Sequence, residues 1–250
     1  MAGFALTVGR NEESRYLRDM LANTRAFVDA HFFFDDQSTD QTASIAESMG
    51  CTVVRRPADV PPFMEHEGRF RAAAWRAFEK VMAPNAGDWV LVVDTDEFFY
   101  APAPLTRIAV DNLAADPLAV LLPFAEVFGW EGNAPLRRID GLWGSVRGPR
   151  LFPYRPNNHF DDAKAMGSAS NPSYVSVGRS MTLSDVGMVH FGYAREEDQA
   201  AKYARYSSLA NHGHDPAHIH SILHGSRHLV PVYPWPGLVA CPPEREKHIP

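Results

Sequence analysis

The sequence predicts a single α/β domain, with a mostly parallel central sheet covered by helices on both faces. Three observations lead there. Across residues 1–125 short apolar runs alternate with segments of helical periodicity, the pattern of a β-α-β chain. The runs are nearly continuous rather than alternately polar, so the strands they form must be buried on both faces. A chain of 250 residues, 45% hydrophobic and 22% charged, also has the length and composition to bury one large core.

The first run, Phe4-Ala5-Leu6-Thr7-Val8, predicts a buried strand. A helix over Glu12 to Ala22 follows, because Tyr16, Leu17, Met20 and Leu21 share one face. His31 to Phe34 is the second strand. A helix over Thr42 to Met49 stops at Gly50, which accepts the left-handed conformation that ends helices. Thr52 to Val54 is the third strand. Glu67 to Val81 reads as a helix through Phe70, Ala73, Ala74, Ala77, Phe78 and Val81. Trp89 to Val93 is the strongest strand, short and β-branched, and Val120 to Leu122 the fifth. Beyond Phe124 periodicity weakens and Gly, Pro, Asn and Trp become frequent, which predicts short strands and long loops. Arg195 to Leu209 reads as a polar helix, His212 to His228 is histidine-rich, and residues 229–250 form a Pro-rich tail.

Composition narrows the function classes. Lys and Arg number 24 against 30 Asp and Glu, a formal charge of −6, so no net positive field draws in a long nucleic acid. High apolar content with few charges excludes a disordered chain. No apolar run is long enough for a membrane helix, and the N-terminus lacks the pattern of a signal peptide. Cys51 and Cys241 make no disulfide framework and read as free thiols of a reducing compartment, the cytoplasm. The glycine patterns of a dinucleotide-binding turn and of a P-loop are missing, and so is the nucleophile elbow of the α/β-hydrolases.

In an open α/β sheet ligands sit beyond the carboxyl ends of the strands. Two acidic clusters fall there. The segment from Asp35-Asp36 to Asp40-Gln41-Thr42 follows the second strand, and its residue types equally make a turn and a helix cap. Asp94-Thr95-Asp96-Glu97 follows the strongest strand. Three carboxylates in four positions repel one another, and a divalent cation relieves that repulsion. If the strand continues, Asp94 and Asp96 project the same way and Glu97 points elsewhere. Arg195 and Lys202, on the late helix, add positive charge or form a solvated face.

Taken together, Thr7-Val8-Gly9-Arg10-Asn11-Glu12, the Asp35-Asp36-x-Ser-x-Asp-x-Thr stretch and Trp89 to Phe98 resemble the family-2 glycosyltransferases. The subgroup whose metal motif reads Asp-x-Asp-Glu-Phe is the nearest. The stretch from Val127 to Tyr206, with Arg150-Leu151-Phe152 and His190-Phe191-Gly192-Tyr193, is similar to later parts of the same fold. The resemblance implies a GT-A fold with a Rossmann-like sheet. Residues 1–125 are then the nucleotide-binding half and 126–228 the acceptor-binding half. It implies transfer of a sugar, hexosyl-like, from a nucleoside-diphosphate donor, with UDP the first choice, and inversion at the reacting carbon. It places Thr7, Gly9, Asn11 and Glu12 around the nucleotide and Asp36, or else Asp35, on the base or ribose. Arg69 or Arg71 lies near the donor. The Asp94-Thr95-Asp96 motif holds manganese or magnesium, with Asp96 the more direct ligand and His190 completing the shell.

An inverting transfer needs a general base at the acceptor. Glu126, just after the fifth strand, is the first candidate and Asp162 the second, ahead of Asp161, Glu131 and Asp140. Phe128, Trp130 and Trp143 either stack on a sugar ring or pack in the core. His220 and His224 would share a helix face and offer a zinc site, or line a polar surface. The expected partners are a nucleotide sugar and an acceptor glycan, protein, metabolite or modified base. Two other readings stand beside the transferase: a nucleotide-sugar-binding module without catalysis, and another carboxylate–metal enzyme such as a nucleotidyltransferase.

Overall fold

The computed structural model describes residues 1–101, 119–156, 160, 162–163, 171–176, 180–182, 186–208, 215–225 and 227–232. Its first half is the predicted alternation. Strands β1 (Gly3–Gly9), β2 (Ala30–Asp35), β3 (Thr52–Arg55) and β4 (Trp89–Val92) alternate with helices α1 (Leu17–Arg25), α2 (Thr42–Ser48) and α3 (Glu67–Met82). The four strands are parallel in the order β3-β2-β1-β4. Their side chains divide by position. Phe4, Leu6, Phe32, Phe34, Val90 and Val92 pack with Phe70, Trp75 and Phe78 of α3. Ala5, Phe33, Trp89 and Leu91 face the other way, onto Leu17, Met20, Ile45 and Ala46 of α1 and α2. This is the period-2 alternation of a strand buried on both faces.

The second half completes the sheet. It adds β5 (Glu97–Tyr100), β6 (Ala119–Glu131), β7 (Ala134–Arg138), β8 (Arg147–Pro153), β9 (Ser180–Thr182), β10 (Gly187–His190) and β11 (Leu229–Pro231). The helices α4 (Glu196–Ser208) and α5 (Pro216–Ser221) follow β10. Strand β8 lies antiparallel between β4 and β6, and β7 and β11 extend the sheet beyond β6. Strand β10 bridges β5 and β6, antiparallel to the first and parallel to the second. The core crosses both halves, since Val127, Phe191 and Val232 share one apolar cluster with Ala5 and Leu91.

Three expectations differ from the structure. Helix α1 starts at Leu17 rather than Glu12. The N–H groups of Asn11, Glu12 and Glu13 are taken by side chains of Ser38, Thr42 and Asp40, so the segment is stitched to the start of α2 instead of coiling. The strand expected at Val120 to Leu122 is β6 and is 13 residues long, not three, running on through a register shift at Val127/Gly129. Strand β4 does not continue into the acidic cluster. It ends at Val92, the chain turns, and Glu97 N–H bonds back to the Asp94 carbonyl.

Candidate active site

A cavity of about 590 Å³ opens at the carboxyl ends of β1, β2 and β4. Gly9, Glu12, Asp36, Arg71, Asp94, Thr95, Asp96, His190 and Lys202 line it, nine of the sequence candidates brought together from six segments. Gly9 lets the β4–β5 turn approach: a Cβ there would stand 2.8 Å from Thr95 Cγ2 and 2.9 Å from Phe33 Cζ.

The turn separates its two aspartates. Asp94 donates its N–H to Glu97 Oε2 at 2.9 Å, and its carboxylate faces Arg71 Nη1 at 3.6 Å and Arg150 Nη2 at 3.3 Å. Asp96 points to His190, with Oδ2 3.6 Å from Nε2. The Phe191 N–H donates to the Asp96 carbonyl, fixing that approach. Register does the rest. His190 is the direct cross-strand partner of Glu97 on β5 and of Glu126 on β6, so the three side chains share one face. Glu126 Oε2 lies 2.5 Å from His190 Nδ1. Lys202 Nζ is 3.4 Å from His190 Nε2 and 4.3 Å from the Tyr193 ring centroid. All of this needs Gly192, where a Cβ would overlap both His190 and Lys202.

The electrostatics follow the geometry. Burial works to raise the Asp96 carboxyl, but His190 beside it, with Lys202 and Arg15, holds it well below the usual carboxylate range. Burial opposes charge on His190, yet Glu126 and Asp96 outweigh it and raise the imidazole to about 10. Glu12 goes the other way, pushed up to about 7 by burial, which Arg15 only partly offsets.

The remaining candidates lie off the cavity lining. Thr7 is fully buried and bonds His31 Nε2 at 2.8 Å. Asn11, at φ 55°, accepts the Thr39 N–H. Asp35 accepts the Ser38 N–H and faces Arg55. Arg69 is exposed, in contrast to Arg71 two positions on. Arg195 packs over the Tyr16 ring. Glu126 is buried behind His190, while Asp162 and Glu131 are exposed and Asp140 pairs with Arg138. Asp161 lies outside the described residues. Asp36 lines the cavity, but its own chain already engages both oxygens, through Arg56 Nε and the Phe63 N–H.

Sequence reading missed the cations that answer the acids. Arg15 joins Asp198 of α4 at 3.0 Å, Arg150 comes from β8, and Arg205 from α4. Phe63 and Met64 form the wall opposite, with Arg205 Nη1 3.8 Å from Met64 Sδ. A charged residue inside an apolar strand, as in Arg150-Leu151-Phe152, was the available signal. Trp143 packs in the core, 3% exposed, on Phe128 and Tyr193. The His220 and His224 rings stack at 4.4 Å, and no three metal-ligating side chains cluster among the described residues. His212, His214 and Cys241 lie outside those residues, and so do Tyr233 to Pro236. Cys51 is free, its thiol pushed up to about 12 by burial. No helix among the described residues is long and apolar enough to cross a membrane.

No protein-family profile matches the chain. A Rickettsia felis protein named "Uncharacterized glycosyltransferase" is 30% identical over 93 residues, which is 37% of this chain and 28% of that protein. The crystal structure of S. aureus TarS superposes over 89% of this chain and 42% of its own, at 19% identity and a TM-score of 0.51. A shorter TarS structure, residues 1–349 in complex with UDP-GlcNAc, covers the same 89% of this chain and 70% of its own, at 18% identity and a TM-score of 0.46. The chain therefore spans less than half the length of the Rickettsia protein and of the longer TarS chain. The fold is the α/β architecture that the sequence predicts, GT-A-like, and the sequence match supports a glycosyltransferase relationship.

Proposed function

We propose that this chain is a metal-dependent glycosyltransferase that moves a sugar from a nucleoside-diphosphate donor, UDP-linked as first choice, to a hydroxyl acceptor with inversion. The observation that carries the reading is the facing pair Asp96 and His190 in a cavity at the strand ends, ringed by basic side chains.

The donor set suits a cation. Asp96 would offer carboxylate oxygen and His190 its Nε2, once the imidazole proton and the contact with Lys202 are displaced, while Glu126 holds Nδ1 from behind, the support that ligating histidines require. Manganese or magnesium bound there supplies Lewis-acid stabilisation of the charge that develops on the departing diphosphate. The chain's own groups do the remainder. Lys202, with Arg71 and Arg150, meets phosphate charge with donors that the fold holds in place. Gly9, Glu12 and Thr95 wall the nucleotide end. Glu126, committed to His190, orients that imidazole instead of taking the acceptor proton.

Calorimetric titration with UDP and with GDP, with and without manganese, tests this on the wild type and on Asp96→Asn. Manganese should tighten UDP binding, and the variant should lose that gain. Binding of GDP instead would change the donor but keep the site. Binding of neither nucleotide under any condition would overturn the reading; where UDP binds, turnover of UDP-sugars separates a transferase from a binding module.

A further inference from the structure

The two aspartates of the β4–β5 turn sit in different surroundings, and the difference gives each a separate task. Asp94 is the half-buried middle of a chain of alternating charge, Glu67–Arg71–Asp94–Arg150–Glu97, drawn from α3, the turn, β8 and β5. Each arginine is held between two carboxylates. Arg71 donates Nε–H to Glu67 Oε1 at 2.9 Å, and Arg150 reaches Glu97 Oε1 as well as Asp94. Each also has a ring against its face, Phe63 at 5.2 Å from the Arg71 guanidinium and Phe124 at 5.6 Å from that of Arg150. The planes of both groups are thereby set. The donors of Arg150 are not used up: its Nη1 is buried and has no hydrogen-bond partner among the described residues, although a guanidinium carries five N–H groups that seek acceptors. Both arginines line the cavity.

A cation on Asp94 would share Oδ2, which accepts from Arg150 Nη2 at 3.3 Å, or Oδ1, which has no hydrogen-bond partner among the described residues but lies 3.6 Å from Arg71 Nη1. Like charges at that range repel strongly where water is scarce. Among the described residues no arginine forms an ion pair with Asp96; its ionic partner is His190, which would ligate a cation through Nε2 after giving up its proton and its contact with Lys202.

Resting on the glycosyltransferase reading, we propose that Asp94 is a positioning residue that presents Arg71 and Arg150 to the phosphates of the donor, and is not a ligand of the cation. Guanidinium pairs suit that role because their planar forks match phosphate oxygens in pairs.

The test separates the two ligands. Manganese alone is titrated by electron paramagnetic resonance, and UDP by calorimetry in EDTA, on the wild type, Asp94→Asn, Asp96→Asn and Arg150→Gln. Asp94→Asn should keep manganese affinity within about twofold and weaken UDP in EDTA by about tenfold or more, the loss expected when charge-assisted hydrogen bonds are misdirected. Asp96→Asn should do the reverse. Arg150→Gln leaves both aspartates in place. It should weaken UDP in the same way with manganese binding unchanged, so it answers the question even if Asp94→Asn does not fold. Loss of manganese binding in Asp94→Asn as severe as in Asp96→Asn, or unchanged UDP binding in Arg150→Gln, overturns the inference and leaves the transferase reading standing. A wild type that binds neither manganese nor UDP overturns both.

Discussion

The chain carries two acidic clusters, each at the end of a buried parallel strand, and they have opposite fates. In the first, residues 35–42, local main-chain groups claim the polar side chains: Ser38, Asp40 and Thr42 accept N–H groups from residues 11–13, and Asp35 accepts from Ser38. Asp36 is fastened to Arg56 and Phe63. In the second, residues 94–97, the carboxylates face long side chains from distant segments, Arg71, Arg150, His190 and Lys202. The lesson is that a carboxylate with both oxygens hydrogen-bonded by the chain, as Asp36 is, holds the fold, whereas one that faces cations at 3.3 to 3.6 Å in a cavity is open to a ligand.

That contrast makes the first cluster a matter of stability and the second a matter of binding. Replacing Asp36 with Ala strands Arg56, 7% exposed, without its partner, and should destabilise the fold by ~3–5 kcal/mol in urea denaturation. An Asp36→Ala protein of wild-type stability that had lost UDP binding would reverse the assignment. Asp96→Asn should lower UDP affinity in manganese by up to ~100-fold.

The strand that leads into the first cluster adds a pH test. His31, buried against Thr7, is depressed to about 4 from the ordinary 6.5. The unfolded chain therefore binds the extra proton first. Stability from keeping this ring neutral is complete above pH 6.5 and is lost as the pH falls toward 4, a span of about 3 kcal/mol. Denaturation curves across that range should show the slope in the wild type and not in His31→Gln. Asp40→Ala removes the acceptor for the N–H groups of Thr42, at the start of α2, and of Glu13, and should cost about 1 kcal/mol. Arg69→Ala, at an exposed position, should change stability by less than ~0.5 kcal/mol and leave UDP affinity untouched.

The parallel half was legible because its information is local: each strand is an apolar run, and its odd and even residues sort into the two faces without reference to anything distant. The location of the site was legible for the same reason, since strand ends mark it. Its internal arrangement was not. The Asp-x-Asp spacing suggested two carboxylates side by side, but one hydrogen bond, from Asp94 N–H to Glu97, turns them apart. Arg150 was invisible as a partner because β8 enters the sheet beside β4 from far along the chain. Glu126 looked like a free base after a short strand. Only the β6–β10 register shows that it stands behind His190.

That late insertion of β8 has a consequence for biosynthesis. Strand β4, Trp-Val-Leu-Val, has β1 on one side and only β8 on the other. Until residues 147–153 have left the ribosome, the most apolar strand of the sheet presents a bare edge of unpaired N–H and C=O groups, the template on which nascent chains join one another. A chain stalled or cut before Arg147 would then be an aggregation seed and not a small nucleotide-binding domain, and a chaperone that shields that edge would set the yield of the whole protein.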